Sequence, residues 1–285
     1  MRDRVASPEV MSSLLYSGSV KDVYGQAGKD PYIFVFSDRY SIFDWGEMPD
    51  ALPGKGEALA MMGDLLFRFL GRTDCWSEWQ IPDLYPVAWR ERLASSSVFR
   101  NLKKYGLSHH SLGLVNESGE ALSEGASSKR LAVRALERPP AIPRQEKGRL
   151  SWDYSAYASR PERALVPLEV VFRFGAPEGS SFLSRLEKIP GYAESFGFRG
   201  KPEAGELFPY PVVEFFTKLE PTDRFLSREE ALSLASLLPE ELEDLASLTT
   251  LLALRLRDLF SQLGLELWDG KFEFAFLPGK REAGD

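Results

Sequence analysis

The chain has 285 residues, which at about 150 residues per domain predicts roughly two domains. Hydrophobic residues make up 44% and aromatic residues 12% of it, enough for a core, so a wholly disordered chain is excluded. Acidic residues outnumber basic ones, 42 to 35, for a net charge of −7. That balance argues against nucleic acid as the main partner, but it leaves room for a small phosphorylated ligand.

The scarcity of cysteine and histidine disfavours further classes of protein. Cys75 is the single cysteine, so no disulfide can form within the chain, and with only His109 and His110 a zinc site is disfavoured. No apolar run approaches the roughly 18 residues of a membrane span, and the N-terminal residues lack the apolar segment of a signal peptide. We therefore expect a cytoplasmic protein without a membrane partner.

The first half of the chain predicts strands around one clear helix. Short β-rich runs at 20–24 and 32–36, separated by glycines and a proline, predict a β-hairpin. Apolar residues from Leu59 to Leu70 recur at helical spacing, and Gly71 ends the run, so a helix should follow the Pro-Gly-Lys-Gly segment at 53–56. Residues 81–136 are expected to form further short strands.

The second half begins with a change in amino-acid composition. Residues 137–163 contain four prolines and many charges, which predicts a loop or linker and a domain boundary near its start, giving domains at 1–136 and 137–285. A strand is expected near 166–173. The Ser227 and Glu230 pair predicts a capping box, and Pro239 should open a long helix that reaches about Gln262.

Two segments of the first half could bind an anion. The turn at 18–24 (GSVKDVY) has glycine at its start and Lys21 within it, a combination that can approach phosphate oxygens, although taken alone it is more often an ordinary hairpin turn. The segments 37–44 (SDRYSIFD) and 53–56 (PGKG) precede a helix N-terminus, where free N–H groups and a lysine can receive an anion. A solvated loop with a helix cap is the alternative interpretation.

Three segments of the second half carry charges in patterned positions. Glu169 and Arg173 lie four apart in a predicted strand, so they face the same side and either pair or hold a ligand. The stretch 217–224 (TKLEPTDR) is a further charged segment. In 268–274, Asp269, Lys271 and Glu273 alternate with bulky residues, which puts three charges on one strand face, where they would bind a metal, a phosphate or each other.

Seven segments of the chain resemble, in the same order, the motifs of the SAICAR synthetase family. They are GSVKDVY, SDRYSIFD, PGKG, LAVRAL, PLEVVFR with a following Gly-Ser, TKLEPTD and DGKFEF. The resemblance runs from about Leu14 to Phe276. It implies an α+β, two-lobed fold of the ATP-grasp or kinase-like type, with an antiparallel N-terminal sheet lobe and a mixed α+β C-terminal lobe. The nucleotide would bind between the lobes.

The family also implies a reaction in purine biosynthesis. ATP and Mg²⁺ activate the imidazole carboxylate of CAIR as an acyl phosphate, and the amine of L-aspartate displaces phosphate to form an amide. The implied partners are therefore the small molecules CAIR, L-aspartate and ATP, without nucleic acid or membrane, and a homo-oligomer stays open. Such phosphoryl transfer depends mainly on positioning and on neutralising charge.

The resemblance assigns roles to individual residues of this chain. Lys218, Glu220 and Asp223 would border the reacting groups as catalytic residues. The nucleotide-binding set would be Gly18, Ser19, Lys21, Arg134 and Lys271. The substrate-binding set would be Asp44, Lys55, Glu169, Arg173, Ser180 and Ser181, with Arg173 and a serine suited to the phosphate of CAIR. Asp269 and Glu273 would hold Mg²⁺.

Some positions differ from the family's usual pattern. Ser19 stands where the family usually has lysine, and Thr222 where it has histidine. The Asp-Glu metal motif expected after the 269–273 strand is not among the 285 residues, which indicates either a shortened chain or a divergent paralogue. Two alternatives therefore stay open, namely an ATP-dependent amide ligase or phosphotransferase with another acceptor and a catalytically inactive nucleotide-binding homologue.

Overall fold

The structure is a computed structural model of the chain, and it describes residues 4–42, 46–146 and 148–277. The strands, in chain order, are β1 (Leu14–Ser17), β2 (Lys21–Gln26), β3 (Lys29–Phe36), β4 (Arg39–Ile42), β5 (Gly46–Ala51), β6 (Ser111–Leu114), β7 (Arg130–Val133), β8 (Ile142–Glu146), β9 (Arg149–Asp153), β10 (Leu165–Gly175), β11 (Leu207–Thr217), β12 (Phe225–Leu226) and β13 (Asp269–Ala275).

The helices, in chain order, are α1 (Pro8–Ser12), α2 (Lys55–Gly71), α3 (Asp74–Ser77), α4 (Val87–Ala94), α5 (Ser97–Tyr105), α6 (Ser181–Lys188), α7 (Tyr192–Ser195), α8 (Arg228–Ala235) and α9 (Pro239–Ser261). A 3₁₀ helix lies at Ser155–Ser159. The hairpin of β2 with β3, helix α2 and the long helix α9 confirm the predictions for those segments.

The chain forms two compact units. The first combines Met1–Trp79 with Leu102–Glu137, and the second combines Gln80–Asn101 with Arg138–Asp285. Residues 80–101 precede the predicted boundary yet group with the second unit, where Trp89 stacks on Tyr210. The assignment of a nucleotide lobe to 1–136 and a substrate and metal lobe to 137–285 stays a prediction.

The first unit is built on an antiparallel sheet in the order β1-β2-β3-β7-β6. Ile33 and Ala132 are fully buried in a cluster that includes Val10 of α1. Leu131 and Val133 pack against Ala60 of α2 in a second cluster. Helices α1 and α2 therefore cover the sheet with apolar side chains, and this burial provides the main driving force for the unit.

The second unit is built on an antiparallel sheet in the order β12-β11-β10-β13. Leu168, Val170 and Phe215 are buried in a cluster that contains residues of α8 and α9, such as Ala231 and Leu242. These apolar residues form one face of the sheet. Glu169 and Arg173 occupy the alternate positions of β10 and therefore project from the opposite face.

Local sequence explains the start of α8 and the turn of the hairpin that precedes β10. Ser227 accepts from the backbone N–H of Glu230, and Glu230 accepts from that of Ser227, so the predicted capping box is confirmed. The predicted linker at 137–163 instead contains the hairpin of β8 and β9, with Gly148 at a positive φ of 79° in its turn. Tyr157 is fully buried in the core cluster of the second unit, so part of this segment packs against the sheet.

The prediction of strands throughout 81–136 is wrong for its first part. Residues 87–94 and 97–105 are the helices α4 and α5, and strands occur only at β6 and β7 within the described part of this segment. In α5 the apolar residues Val98, Phe99 and Leu102 recur at helical spacing, and Phe99 and Leu102 are buried. Because the run is short and bounded by charges, its helical period was concealed.

Candidate functional site

The polar face of the second sheet gathers the charged residues of three motifs. Strand β10 is flanked by β11 and β13, and Glu169 lies opposite Glu273, while Arg173 lies opposite Asp269. Residues directly opposite each other in an antiparallel pair project from the same face. Lys271 lies opposite Val171 and therefore shares that face, as predicted for alternating positions of β13.

Glu169 is the buried centre of the first charge cluster on this face. Its side chain is 2% exposed, and its Oε1 lies 2.7 Å from Nζ of Lys271 and 3.4 Å from Nζ of Lys218. Lys218 reaches further, to Oε1 of Glu273 at 2.7 Å. Two lysines and two glutamates thus form a compensated network, because an isolated buried carboxylate would be costly.

The network shifts the pKa values of its members. Burial opposes ionisation of Glu169, but hydrogen bonds with Lys271 and Asp223 and the charge of Lys218 outweigh it and hold the pKa of Glu169 below its usual range. Burial and the neighbouring Glu169 raise the pKa of Asp223. Burial also opposes the charge on Lys218, but Glu273 and Glu169 raise its pKa above the usual value.

Arg173 is the centre of a second cluster at the other end of the same face. Its Nε lies 2.5 Å from Oε2 of Glu214, and its Nη1 donates to Oδ2 of Asp269 at 2.8 Å. Glu214 also pairs with Arg185 of α6 at 2.6 Å and accepts from the hydroxyl of Tyr192 in α7. Helices α6 and α7 therefore cover this end of the face.

Three other predicted residues of this unit have different surroundings. Ser180 caps α6 by accepting from the N–H of Phe182 at 3.3 Å, and Ser181 is exposed at the first position of that helix. Glu220 accepts from Tyr154 at 3.2 Å and pairs with Arg224 at 3.3 Å. The contacts found for Glu220 thus lie outside the Glu169 cluster, and its catalytic role stays a prediction.

In the first unit, the turn between β1 and β2 is fixed by arginine. Gly18 and Lys21 bond through the backbone at 3.0 Å, while Nη2 of Arg39 donates to the carbonyl of Gly18 at 2.7 Å and to Asp22 at 3.0 Å. Ser19 is exposed at the tip. The Nζ of Lys21 lies 4.1 Å from the ring centroid of Phe34, a cation–π contact.

The Pro-Gly-Lys-Gly segment builds the start of α2. Asp38 accepts from the N–H of Gly56 at 2.8 Å, so a carboxylate already occupies this helix N-terminus. A Cβ on Gly56 would lie 2.6 Å from the carbonyl oxygen of Phe36, which explains the glycine. Lys55 donates to the carbonyl of Arg39 at 2.8 Å. These contacts match the helix-cap interpretation of the segment.

The remaining predicted residues of the first unit are Arg134 and Asp44. Arg134 is exposed just after β7, with its backbone N–H bonded to the carbonyl of His110 at 2.8 Å. Asp44 lies outside the described residues. Neither observation bears on the predicted contact of Arg134 with the nucleotide or of Asp44 with the substrate.

The residues predicted to hold Mg²⁺ do not fit a shared ion. Asp269 and Glu273 are four residues apart on one strand, which separates their Cα atoms by about 13 Å. Each carboxylate is paired with a cation, Asp269 with Arg173 and Glu273 with Lys218. Within the described ranges, no three carboxylate, histidine or cysteine side chains gather in an arrangement suited to a metal.

Sequence reasoning missed Glu214, Arg185 and Tyr192. Glu214 is 1% exposed and sits in a run of valines and phenylalanines, Pro211 to Phe216, where a charge is unusual. That signal could have marked Glu214 as partnered. Arg185 and Tyr192 follow ordinary helical patterns, so their approach to Glu214 could not be foreseen.

The fold agrees with that of solved biosynthetic synthetases. SAICAR synthase from Saccharomyces cerevisiae in complex with SAICAR matches with a TM-score of 0.55 and 19% identity over 95% of this chain and 70% of that chain. A Type-2 SAICAR synthetase in complex with ADP matches with a TM-score of 0.54 and 19% identity over 92% of this chain and 75% of that chain. These likenesses confirm the predicted α+β, two-lobed fold class.

The family model described as SAICAR synthetase matches residues 14–282. A protein of Archaeoglobus fulgidus, provisionally named a phosphoribosylaminoimidazole-succinocarboxamide synthase, is 34% identical over 268 residues, which cover 90% of this chain and 67% of that protein. The chain therefore belongs to the SAICAR synthetase family, as its motifs predicted. Among its described helices, none combines the length and apolar character needed to cross a bilayer.

Proposed function

We propose that this protein is an ATP-dependent ligase that joins the carboxylate of CAIR to the amine of L-aspartate and forms SAICAR. The observation that carries the proposal is the polar sheet face, where the charged residues of three family motifs meet within the second unit. Family membership over residues 14–282 supports it, as do the ADP and SAICAR complexes of proteins with this fold.

Arg173 would bind the phosphate of CAIR. A planar guanidinium is suited to a phosphate because it can donate two parallel hydrogen bonds. Among the described residues, Nε and Nη1 of Arg173 are engaged while Nη2 has no hydrogen-bond partner. Ser181, exposed at the start of α6, would add a hydroxyl to the same phosphate, and Ser180 would contribute through the helix end that it caps.

The reacting carboxylate would lie beside the Glu169 cluster. In the proposed reaction, an oxygen of the CAIR carboxylate takes the γ-phosphoryl group of ATP and ADP leaves. The aspartate nitrogen then bonds to the acyl carbon, and the C–O bond to phosphate breaks, so that phosphate departs with that oxygen. Lys218 and Lys271 would offset the negative charge of these groups, because their Nζ atoms lie within 3.4 Å of Glu169 and both side chains are partly exposed.

The amine of aspartate must lose protons during attack, and the Glu169 and Asp223 pair would receive one. Glu169 is ionised at neutral pH because its pKa is lowered, mainly by Lys271 and Asp223 against the effect of burial. Asp223 has a raised pKa through burial and the adjacent Glu169, so it holds a proton more readily than an ordinary aspartate. The pair would therefore accept and hold a proton near the reacting nitrogen.

The nucleotide would be bound by the first unit. Gly18 and Ser19 form an exposed turn whose shape is fixed by Arg39, and Lys21 follows at the start of β2. A glycine turn next to a lysine can receive phosphate oxygens. Arg134 would contact the nucleotide from the end of β7.

The test supplies the protein with ATP, Mg²⁺, CAIR and L-aspartate and measures ADP and SAICAR. With ¹⁸O in the CAIR carboxylate, one labelled oxygen should appear in inorganic phosphate, because the acyl phosphate transfers it. Replacement of Arg173 by Ala should chiefly raise the KM for CAIR, while Lys21→Ala should chiefly raise that for ATP.

The outcomes separate this function from its alternatives. ADP release that does not depend on CAIR would indicate a ligase or phosphotransferase with another acceptor. Nucleotide binding without turnover would indicate an inactive homologue. Formation of SAICAR with unlabelled phosphate would contradict the acyl phosphate while leaving the ligase activity in place.

A further inference from the structure

We infer that Glu214 is a positioning residue, which fixes the guanidinium of Arg173 in the orientation that receives the substrate's phosphate. The inference rests on the proposed function. Glu214 lies in the centre of β11 and is 1% exposed, so its carboxylate is placed to contact protein groups rather than solvent.

Both oxygens of Glu214 are engaged by different partners. Oε2 accepts a hydrogen bond from Nε of Arg173 at 2.5 Å. Oε1 accepts a hydrogen bond from the hydroxyl of Tyr192 and forms an ion pair with Nη2 of Arg185 at 2.6 Å. A carboxylate held by hydrogen bonds from Arg173 and Tyr192 and by the ion pair with Arg185, which lie on three different elements, has little freedom to turn. Glu214 is therefore a fixed point on the covered side of Arg173.

Arg173 is held from two sides that differ in exposure. The buried Glu214 accepts a hydrogen bond from Nε, whereas Asp269, with a side chain 46% exposed, accepts one from Nη1. Since the guanidinium is planar, fixing two of its nitrogens also fixes the direction of Nη2. Asp269 can move aside in solvent when an anion binds, but Glu214 cannot, so Glu214 sets the direction of Arg173.

Charge supports the same conclusion. Arg173 and Arg185 would repel each other across this end of the face without the carboxylate between them. The guanidinium of Arg185 lies 5.0 Å from the ring centre of Phe216 and 5.6 Å from that of Phe225. These rings restrict water, so removal of the Glu214 charge should displace Arg173 rather than leave it in place with a hydration shell.

The experiment compares Glu214→Gln with Glu241→Gln in the full chain. Glu241 is a matched control because it also pairs with an arginine, Arg160, at 2.6 Å, but on α9 away from the polar face. We expect Glu214→Gln to raise the KM for CAIR by about tenfold or more, while the KM for ATP and for L-aspartate changes by less than about twofold. Glu214→Asp should restore part of the loss.

Comparison with the Glu241→Gln control decides whether Glu214 has a positioning role. If Glu214→Gln and Glu241→Gln change the three KM values alike, or if the KM for CAIR stays unchanged, Glu214 is only structural. If Glu214→Gln does not fold, as judged by circular dichroism, the charge-balanced double variant Glu214→Gln with Arg185→Gln replaces it. The same selective rise is expected there, and its absence in the folded double variant overturns the inference.

A binding measurement separates this inference from the proposed function. Ribose 5-phosphate, titrated by calorimetry, should bind the unaltered protein and the Glu241→Gln variant alike and bind Glu214→Gln about tenfold more weakly. If the unaltered protein makes no SAICAR but shows this pattern, the ligase proposal fails and the positioning role stands. If it does not bind ribose 5-phosphate, or if the Glu214 variant binds it equally well, the positioning role fails.

Discussion

Two lysines contact the buried carboxylate of Glu169. Replacing each of them by methionine tests how exposure to solvent affects the contribution of each ion pair to stability. Methionine keeps most of the apolar stem of lysine and removes its charge. Lys271 lies 2.7 Å from Glu169 with a side chain 59% exposed, and Lys218 lies 3.4 Å away with a side chain 26% exposed. Distance and exposure therefore predict opposite orders of importance.

Coulomb's law gives the size of each contribution. At a uniform dielectric constant of about 20, charges 2.7 Å apart attract by about 6 kcal/mol and charges 3.4 Å apart by about 5 kcal/mol. The exposed Lys271 is surrounded by water, where a dielectric constant near 80 lowers its value to about 1.5 kcal/mol before the cost of ordering the side chain. Lys218 is shielded from water and also pairs with Glu273 at 2.7 Å.

We expect Lys218→Met to lower the free energy of unfolding by about 2 kcal/mol and Lys271→Met by about 0.5 kcal/mol. The measurement is urea denaturation at pH 7, with unchanged slopes as the check that both variants unfold in the same way. If Lys271→Met costs as much as Lys218→Met or more, distance rather than exposure governs this cluster and the reasoning is refuted.

The pH dependence of the Lys218→Met deficit supplies an internal check. Because the pKa of Glu169 is lowered in the folded protein, its stabilising contribution is present above the unfolded value of about 4.3 and is lost as pH falls through the folded value. Removal of Lys218 raises the folded value, so Glu169 takes up a proton earlier. The deficit of the variant should therefore shrink as pH is lowered from 7 toward about 4.

The other predictions concern the core and the alkaline limit. Gly56→Ala should cost about 1–3 kcal/mol, because its Cβ would lie 2.6 Å from the carbonyl oxygen of Phe36, whereas Gly63→Ala in the same helix, with its nearest neighbour at 3.9 Å, should stabilise by up to about 1 kcal/mol. Thermal unfolding of both variants checks this, and equal effects would contradict the packing argument. Burial raises the pKa of Tyr157 to about 12, so its contribution to stability is complete below the unfolded pKa of about 10 and is lost as pH rises through 12. Denaturation at several alkaline pH values should show this loss as a fall in the free energy of unfolding with rising pH. In Tyr157→Phe the fall should be smaller by the contribution of Tyr157.

Local patterns were sufficient for some elements and insufficient for others. The capping box of Ser227 and Glu230 was predictable because both partners are three residues apart, and the alternation of β13 placed Asp269 and Lys271 on one face. The helix α5 was missed, since its nine residues are too few to display a clear period beside the flanking loops. Short segments depend on what they pack against, which sequence spacing does not contain.

The candidate site shows the same division. The spacing of Glu169 and Arg173 in one strand predicts that they share a face, but it does not decide between a bound ligand and a mutual ion pair. In the structure they do not pair with each other, since Glu169 contacts Lys271 and Arg173 contacts Glu214. Their Cα atoms lie about 13 Å apart along the strand, and each side chain contacts charged residues of the neighbouring strands instead.

The sequence by itself determined that the chain is a two-unit α+β protein of acidic charge, with family motifs in order and charges alternating along β13. Only the tertiary structure decided which of those charges meet. Glu214 is 41 residues from Arg173, and Asp269 is 96 residues from it, so their contacts depend on the pairing of β10 with β11 and β13. Strand register is a long-range property of the packed sheet, and it alone places a buried carboxylate behind the arginine.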